Sequence, residues 1–124
     1  MAMSPQEALA GYVAATNSHD FREVAVRLSE NAVYFFGDRS CRSRDEIRDY
    51  FERAWATVVD EDYSAHEVEW LSVTADAATA IYRYEWSGLI DGAPARGHGR
   101  ATNAFVRVDG RWLLVHEHLS PLPR

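Results

Sequence analysis

Two histidines, His116 and His118, are the residues of this chain best equipped to move a proton near neutral pH. They stand two apart in the run Arg111–Leu119, which alternates as a strand does. They therefore share a face and lie roughly 6.5–7 Å apart along it. Trp112 and Leu114 share that face; Leu113, Val115, Glu117 and Leu119 take the other. Two imidazoles so placed can serve as acid and base, or as two ligands of a metal. A metal needs a third ligand, and no HxxxH or carboxylate spacing supplies one, so no metal site is expected. The preceding Asp109-Gly110 turn, with a two-residue loop, pairs Asn103 with His116 and Phe105 with Leu114. Asn103 is then an amide able to orient a histidine or a carbonyl. Upstream, Tyr82, Tyr84 and Trp86 share one strand face, against Ile81, Arg83 and Glu85. Buried phenols need hydrogen-bond partners, so a cavity walled by them is partly polar.

Other reactive residue types read more plainly. Asp20 is a helix cap. His19 and His66 are isolated and read as exposed. His98, between Gly97 and Gly99, lies on a loose edge segment. Cys41 has no histidine beside it, which leaves a nucleophilic role unsupported. There is no G-x-S-x-G, P-loop or G-x-G-x-x-G, so no cofactor is expected.

The elements that position these residues divide into two halves. Ser4-Pro5 with Glu7 reads as a helix start, and Leu9, Tyr12, Val13 and Thr16 recur at helical spacing. Asp20 caps a second, short helix bearing Phe21, Val24, Ala25 and Leu28 on one face. Ala32–Phe36 is β-branched and aromatic and reads as a short strand. Ser43 caps a third helix, marked by Ile47, Tyr50, Phe51, Ala54, Trp55 and Val58. Near residue 62 the period changes to two. Ser64–Thr74 and Thr79–Ser87 form one hairpin; Arg100–Val108 and Arg111–Leu119 form another, closed by Asp109-Gly110. Helices followed by antiparallel strands give an α+β domain, here one domain over residues 1–124. Its curled sheet wraps the long helix and leaves a cone with an open mouth.

Composition narrows the function classes. The chain is 47% apolar and 12% aromatic, enough to fill one core. Its net charge is −6, and all 13 basic residues are arginine. Such an acidic chain has no broad footprint for nucleic acid or an anionic membrane. No apolar run approaches the length of a membrane span, and the first residues lack a signal-peptide pattern. A single cysteine excludes an internal disulfide framework, and a reducing cytoplasm is the expected compartment.

Three stretches, Tyr12–Asp20, Arg44–Phe51 and Asp109–Pro121, resemble the NTF2-like superfamily in its SnoaL-like and association-domain-like branch. The resemblance covers nearly the whole chain. It implies that the tryptophan-bearing face of the last strand points into the cone, which would carry His116 and His118 inward. The first helix also resembles that of ketosteroid isomerases, where a tyrosine placed like Tyr12 donates to an enolate oxygen. That chemistry needs a carboxylate base and a second acidic donor. Their positions fall near Phe36 and near Asn103 or Ala104, and none of these is acidic. Asp38 lies past the strand, in a loop. Steroid isomerisation is therefore not expected, and Tyr12 packs or lines the cone.

Two functions follow, and a third is simpler. One is an acid–base enzyme of isomerase, cyclase or dehydratase type, acting on a hydrophobic, oxygenated compound. In it His116 or His118 moves the proton, and Tyr12, Tyr50, Tyr82 or Tyr84 orients a carbonyl. Asn103 would join them, with Trp86 and Trp112 as apolar wall. The other is a non-catalytic ligand-binding or assembly module, which the missing carboxylate pair favours. The third is a structural dimer with an occluded core. A homodimer through the outer sheet face is expected in any case, since Leu113, Val115, Val106 and Ala104 form an apolar stripe there. His116 on the outer face, or a filled cone, would favour the assembly module.

Overall fold

A computed structural model describes residues 4–123. Helix α1 (Pro5–Asn17) starts where Ser4 accepts a hydrogen bond from the Glu7 amide at 3.1 Å. Helix α2 (Phe21–Ala25) is capped by Asp20, which accepts from the Arg22 amide at 3.0 Å. Helix α3 (Arg44–Thr57) is capped by Ser43, which accepts from the Glu46 amide at 3.2 Å. The Glu46 carboxyl reaches back to the Arg42 amide, so two free donors at this end are satisfied. Ser43→Ala is expected to cost about 1 kcal/mol, read as a lower urea midpoint at unchanged slope.

The strands are β1 (Leu28–Phe35), β2 (Ser40–Cys41), β3 (Val59–Val73), β4 (Ala77–Ile90), β5 (Ala93–Val108) and β6 (Arg111–Ser120). They form one six-stranded sheet in the order β2-β1-β6-β5-β4-β3, antiparallel except where β1 runs beside β6. The sheet is curled and unclosed, and the helices cover its concave side. This is the α+β cone expected from the change of period. Leu9, Tyr12, Val24 and Ile47 from the helices meet Tyr34, Phe105 and Leu114 from the sheet in the core.

Several strands are longer than their sequence suggests. β1 begins at Leu28 rather than Ala32, because the Leu114 amide donates to the Arg27 carbonyl at 2.9 Å and draws that backbone into the sheet. β3 begins at Val59, with one residue between it and the end of α3. The acidic run Asp60-Glu61-Asp62 has low strand propensity and conceals this start. β4 and β5 meet in a two-residue turn, Asp91-Gly92, with φ of 51° and 79°. The Gly97-His98-Gly99 segment, expected to be loose, is paired throughout within β5. Its glycines are required by close approach. A Cβ on Gly99 would stand 2.5 Å from the Tyr84 hydroxyl and from the Ser120 carbonyl oxygen. A Cβ on Gly97 would meet the Trp86 ring.

The β5–β6 ladder carries the irregularity that decides the site. The Asp109-Gly110 turn has φ of 51° and 77° and pairs Val108 with Arg111, as a two-residue hairpin does. Phe105 pairs with Leu114, as expected. The next pair is Ala104 with His116, so Val115 is an extra residue and the strand bulges there.

Candidate functional site

The bulge reverses the inward face of β6 beyond Leu114. His116 and His118, expected inside the cone, lie on the outer face of the sheet. There His116 Nδ1 donates to the Val33 carbonyl at 2.7 Å, and both rings meet Phe35 edge-on. Asn103 pairs with Glu117 instead of His116. The residue brought inside is Glu117, 3% exposed. The apolar run Leu113-Leu114-Val115 is the trace of the bulge in the sequence, since three apolar residues in succession break a period of two.

Glu117 stands at the floor of the cone among polar groups. Asn103 Nδ2 donates to its Oε1 at 2.9 Å, and the Tyr82 hydroxyl donates to the same oxygen at 3.4 Å. No bond of this kind among the described residues ends on Oε2. Behind these, Tyr82 and Tyr63 share a hydrogen bond of 3.2 Å, and Tyr12 and Tyr34 share one of 2.8 Å. Burial pushes the Glu117 carboxyl from its ordinary value near 4.5 up to about 7, against the opposing pull of the donors Asn103 and Tyr82 and of the nearby Tyr12 hydroxyl. Burial, then the neighbouring carboxyl, holds the hydroxyls of Tyr12 and Tyr34 well above their ordinary range. Both hydroxyls are therefore neutral near pH 7. A carboxyl poised near neutral pH among fixed neutral donors can both take and give a proton.

Above the floor is an open cavity of about 270 Å³. Tyr12, Tyr50, Tyr84 and Trp86, singled out from the sequence, line it. Tyr82 and Asn103 lie beneath it and reach it through Glu117. Trp112 does not line it. It faces inward, as its parity requires, but packs in the core near the β5–β6 turn. Tyr50 lies flat on Phe36, with ring centroids 3.6 Å apart, and its hydroxyl donates to Asp38 at 3.0 Å. That hydroxyl is committed to the rim and does not point a free donor at a carbonyl.

Glu117, Tyr34, Tyr63 and Glu61 are residues of this site that spacing and residue type alone do not single out. His19, expected in solvent, instead stacks on Trp55 at 5.6 Å and donates to the Glu61 carbonyl oxygen at 2.7 Å. The SnoaL-like domain family model matches residues 6–124. The chain belongs to the SnoaL-like family.

The fold is similar to that of solved proteins of low sequence identity. An NTF2-like superfamily protein from Salmonella enterica serovar Typhimurium superimposes with a TM-score of 0.84 at 15% identity, covering 95% of this chain and 88% of the other. A candidate ketosteroid isomerase from Shewanella frigidimarina gives 0.74 at 20% identity, covering 91% of each. The CaMKII hub of S. rosetta gives 0.79 at 16% identity, covering 97% of each. These likenesses are of fold. No curated protein matches the chain. Among the described residues, no helix is long and apolar enough to cross a membrane.

Proposed function

We propose that this SnoaL-like protein binds a hydrophobic, oxygenated small molecule in the cone and that Glu117 moves a proton on it. The observation that carries the reading is the buried Glu117 carboxyl, held by Asn103 and Tyr82 at the base of an open aromatic cavity. The outward position of His116 removes the imidazole from this chemistry, and on its own would favour an assembly module. Glu117 supplies the missing acid–base group instead, and the cone is not filled. Tyr12, Tyr82 and Asn103 are the donors able to follow charge as the proton moves; Tyr84 and Trp86 are walls. The ketosteroid isomerase name of the Shewanella neighbour is in keeping with proton transfer beside a carbonyl.

The test is exchange of the α-protons of 2-tetralone in D₂O, followed by NMR. The wild type should accelerate exchange with a rate that rises through about pH 7 as Glu117 ionises. Glu117→Gln should reduce it to the background, and His116→Ala should leave it unchanged. Equal rates for the wild type and Glu117→Gln would overturn the reading.

A second copy of the chain is the proposed partner of the outer sheet face. Ala104, Val106 and Val115 lie outside the core cluster and are half-buried, Leu113 next to them is buried, and the half-buried Phe35 packs on the two histidines of the same face. The CaMKII hub among the structural neighbours is in keeping with self-association. Light scattering on a sizing column is expected to give twice the mass of one chain. Val106→Arg is expected to shift it toward the single chain, since it would bury an unpaired charge. A single-chain mass for the wild type at micromolar concentration would refute the dimer.

A further inference from the structure

The rim of the cavity differs from its floor. Trp55 and Trp86 line it together with Glu61, all three half-buried, whereas Glu117 lies fully buried below. The chain has 13 basic residues, yet among the described residues none lines this cavity. Glu61 forms no ion pair among the described residues. His19 lies beside Glu61, but its ring stacks on Trp55 and its Nε2 is committed to the Glu61 backbone carbonyl. Arg96 and His98 lie with Trp86 on a neighbouring pocket, outside this cavity. Among the described residues the cavity thus presents two carboxyls, two indole rings and no cation of its own.

We infer that the molecule taken by the cone carries a protonated amine, seated at the rim against Glu61 and the faces of Trp55 and Trp86. The inference deepens the proposed function and rests on the same cavity. An ammonium group gains from the carboxylate and from the negative faces of the indoles, and partial burial strengthens both effects. An anion would meet two carboxyls without a counter-charge. A neutral molecule would leave Glu61 half-buried and unpaired. That cost is already visible, since burial raises the Glu61 carboxyl above its ordinary value while His19 pulls it down. The net charge of −6 also draws cations toward the chain. The ligand is therefore an amphiphile, with its apolar body along the aromatic walls and its ammonium at the mouth.

Three indoles of similar shape test this: tryptamine, 3-ethylindole and indole-3-propionate, which are cationic, neutral and anionic at pH 7. Titration calorimetry on the full chain should show tryptamine binding about tenfold tighter than 3-ethylindole. Indole-3-propionate should bind weakest. Glu61→Gln should erase the difference between tryptamine and 3-ethylindole, whereas Glu23→Gln, on α2, should preserve it. Rising salt should narrow it in the wild type. A wild type that binds 3-ethylindole as well as tryptamine, a preference that survives Glu61→Gln, or no binding of any of the three would overturn the inference. Binding of these probes requires no proton transfer, so the result stands apart from the Glu117-dependent exchange of 2-tetralone.

Discussion

Glu117→Gln is expected to make the protein more stable at pH 8 while it removes proton transfer. Below about pH 4.5 the carboxyl is protonated in both folded and unfolded chains, and the substitution changes little. As pH rises from there, the unfolded chain ionises while the folded chain holds its proton up to about 7, so wild-type stability falls. Above that value the folded chain holds a buried charge and the loss is complete. At about 1.4 kcal/mol per pK unit, the loss is on the order of 3 kcal/mol. Glutamine titrates nowhere in this range and keeps an oxygen for Asn103 and Tyr82. Urea unfolding of both proteins at intervals from pH 4 to 8 should show a difference that grows with pH. A difference flat in pH would mean that the carboxyl is not held protonated in the fold. The expected exchange of stability for activity is that of a site whose buried polar group is retained for chemistry.

Gly99→Val is expected to destabilise the protein by about 3 kcal/mol and to disturb the cavity wall. The first atom of any side chain there would lie 2.5 Å from a backbone oxygen of β6 and from the Tyr84 hydroxyl. The backbone oxygen cannot swing away as a side chain does, so the β5–β6 ladder would have to shift. At Gly97→Ala the nearest atoms all belong to the Trp86 side chain, which can give way, and its cost should be smaller. Thermal melts rank the two, and tryptophan fluorescence reports the movement of Trp86. Equal stability for Gly99→Val and wild type would show that Tyr84 does not lean over this position.

Local chemistry made most of the fold legible. Ser4, Asp20 and Ser43 announced the three helices by capping, and Asp109-Gly110 announced the last hairpin. Leu28 reads as helical because its spacing from Phe21 and Val24 is helical. Pairing with β6 overrode that local preference, as long-range contacts routinely do. The inward set Tyr82, Tyr84 and Trp86 was legible because β4 pairs with β5 without a slip over that stretch. The inward set of β6 was not, because strict alternation does not hold across Val115. One extra residue was enough to exchange two imidazoles for a carboxyl. Glu61 escaped notice because an acidic run reads as solvated, and only the packing of β3 beside Trp55 turns one of its carboxyls inward.

The extra residue in β6 also bears on how members of a family are compared. The letters from Leu113 to Leu119 encode two different floors. An even ladder would turn Leu114, His116 and His118 to the concave side, whereas the ladder kinked at Val115 turns Leu114, Glu117 and Leu119 there. A relative with the same letters in the same alignment columns but a straight strand would present imidazoles where this chain presents a carboxyl. Identity at an aligned position is thus no guarantee of a shared role in this strand. Transfer of a catalytic assignment from one member to another requires that the partner strand be counted residue by residue, so that the side of the sheet is matched before the letter is.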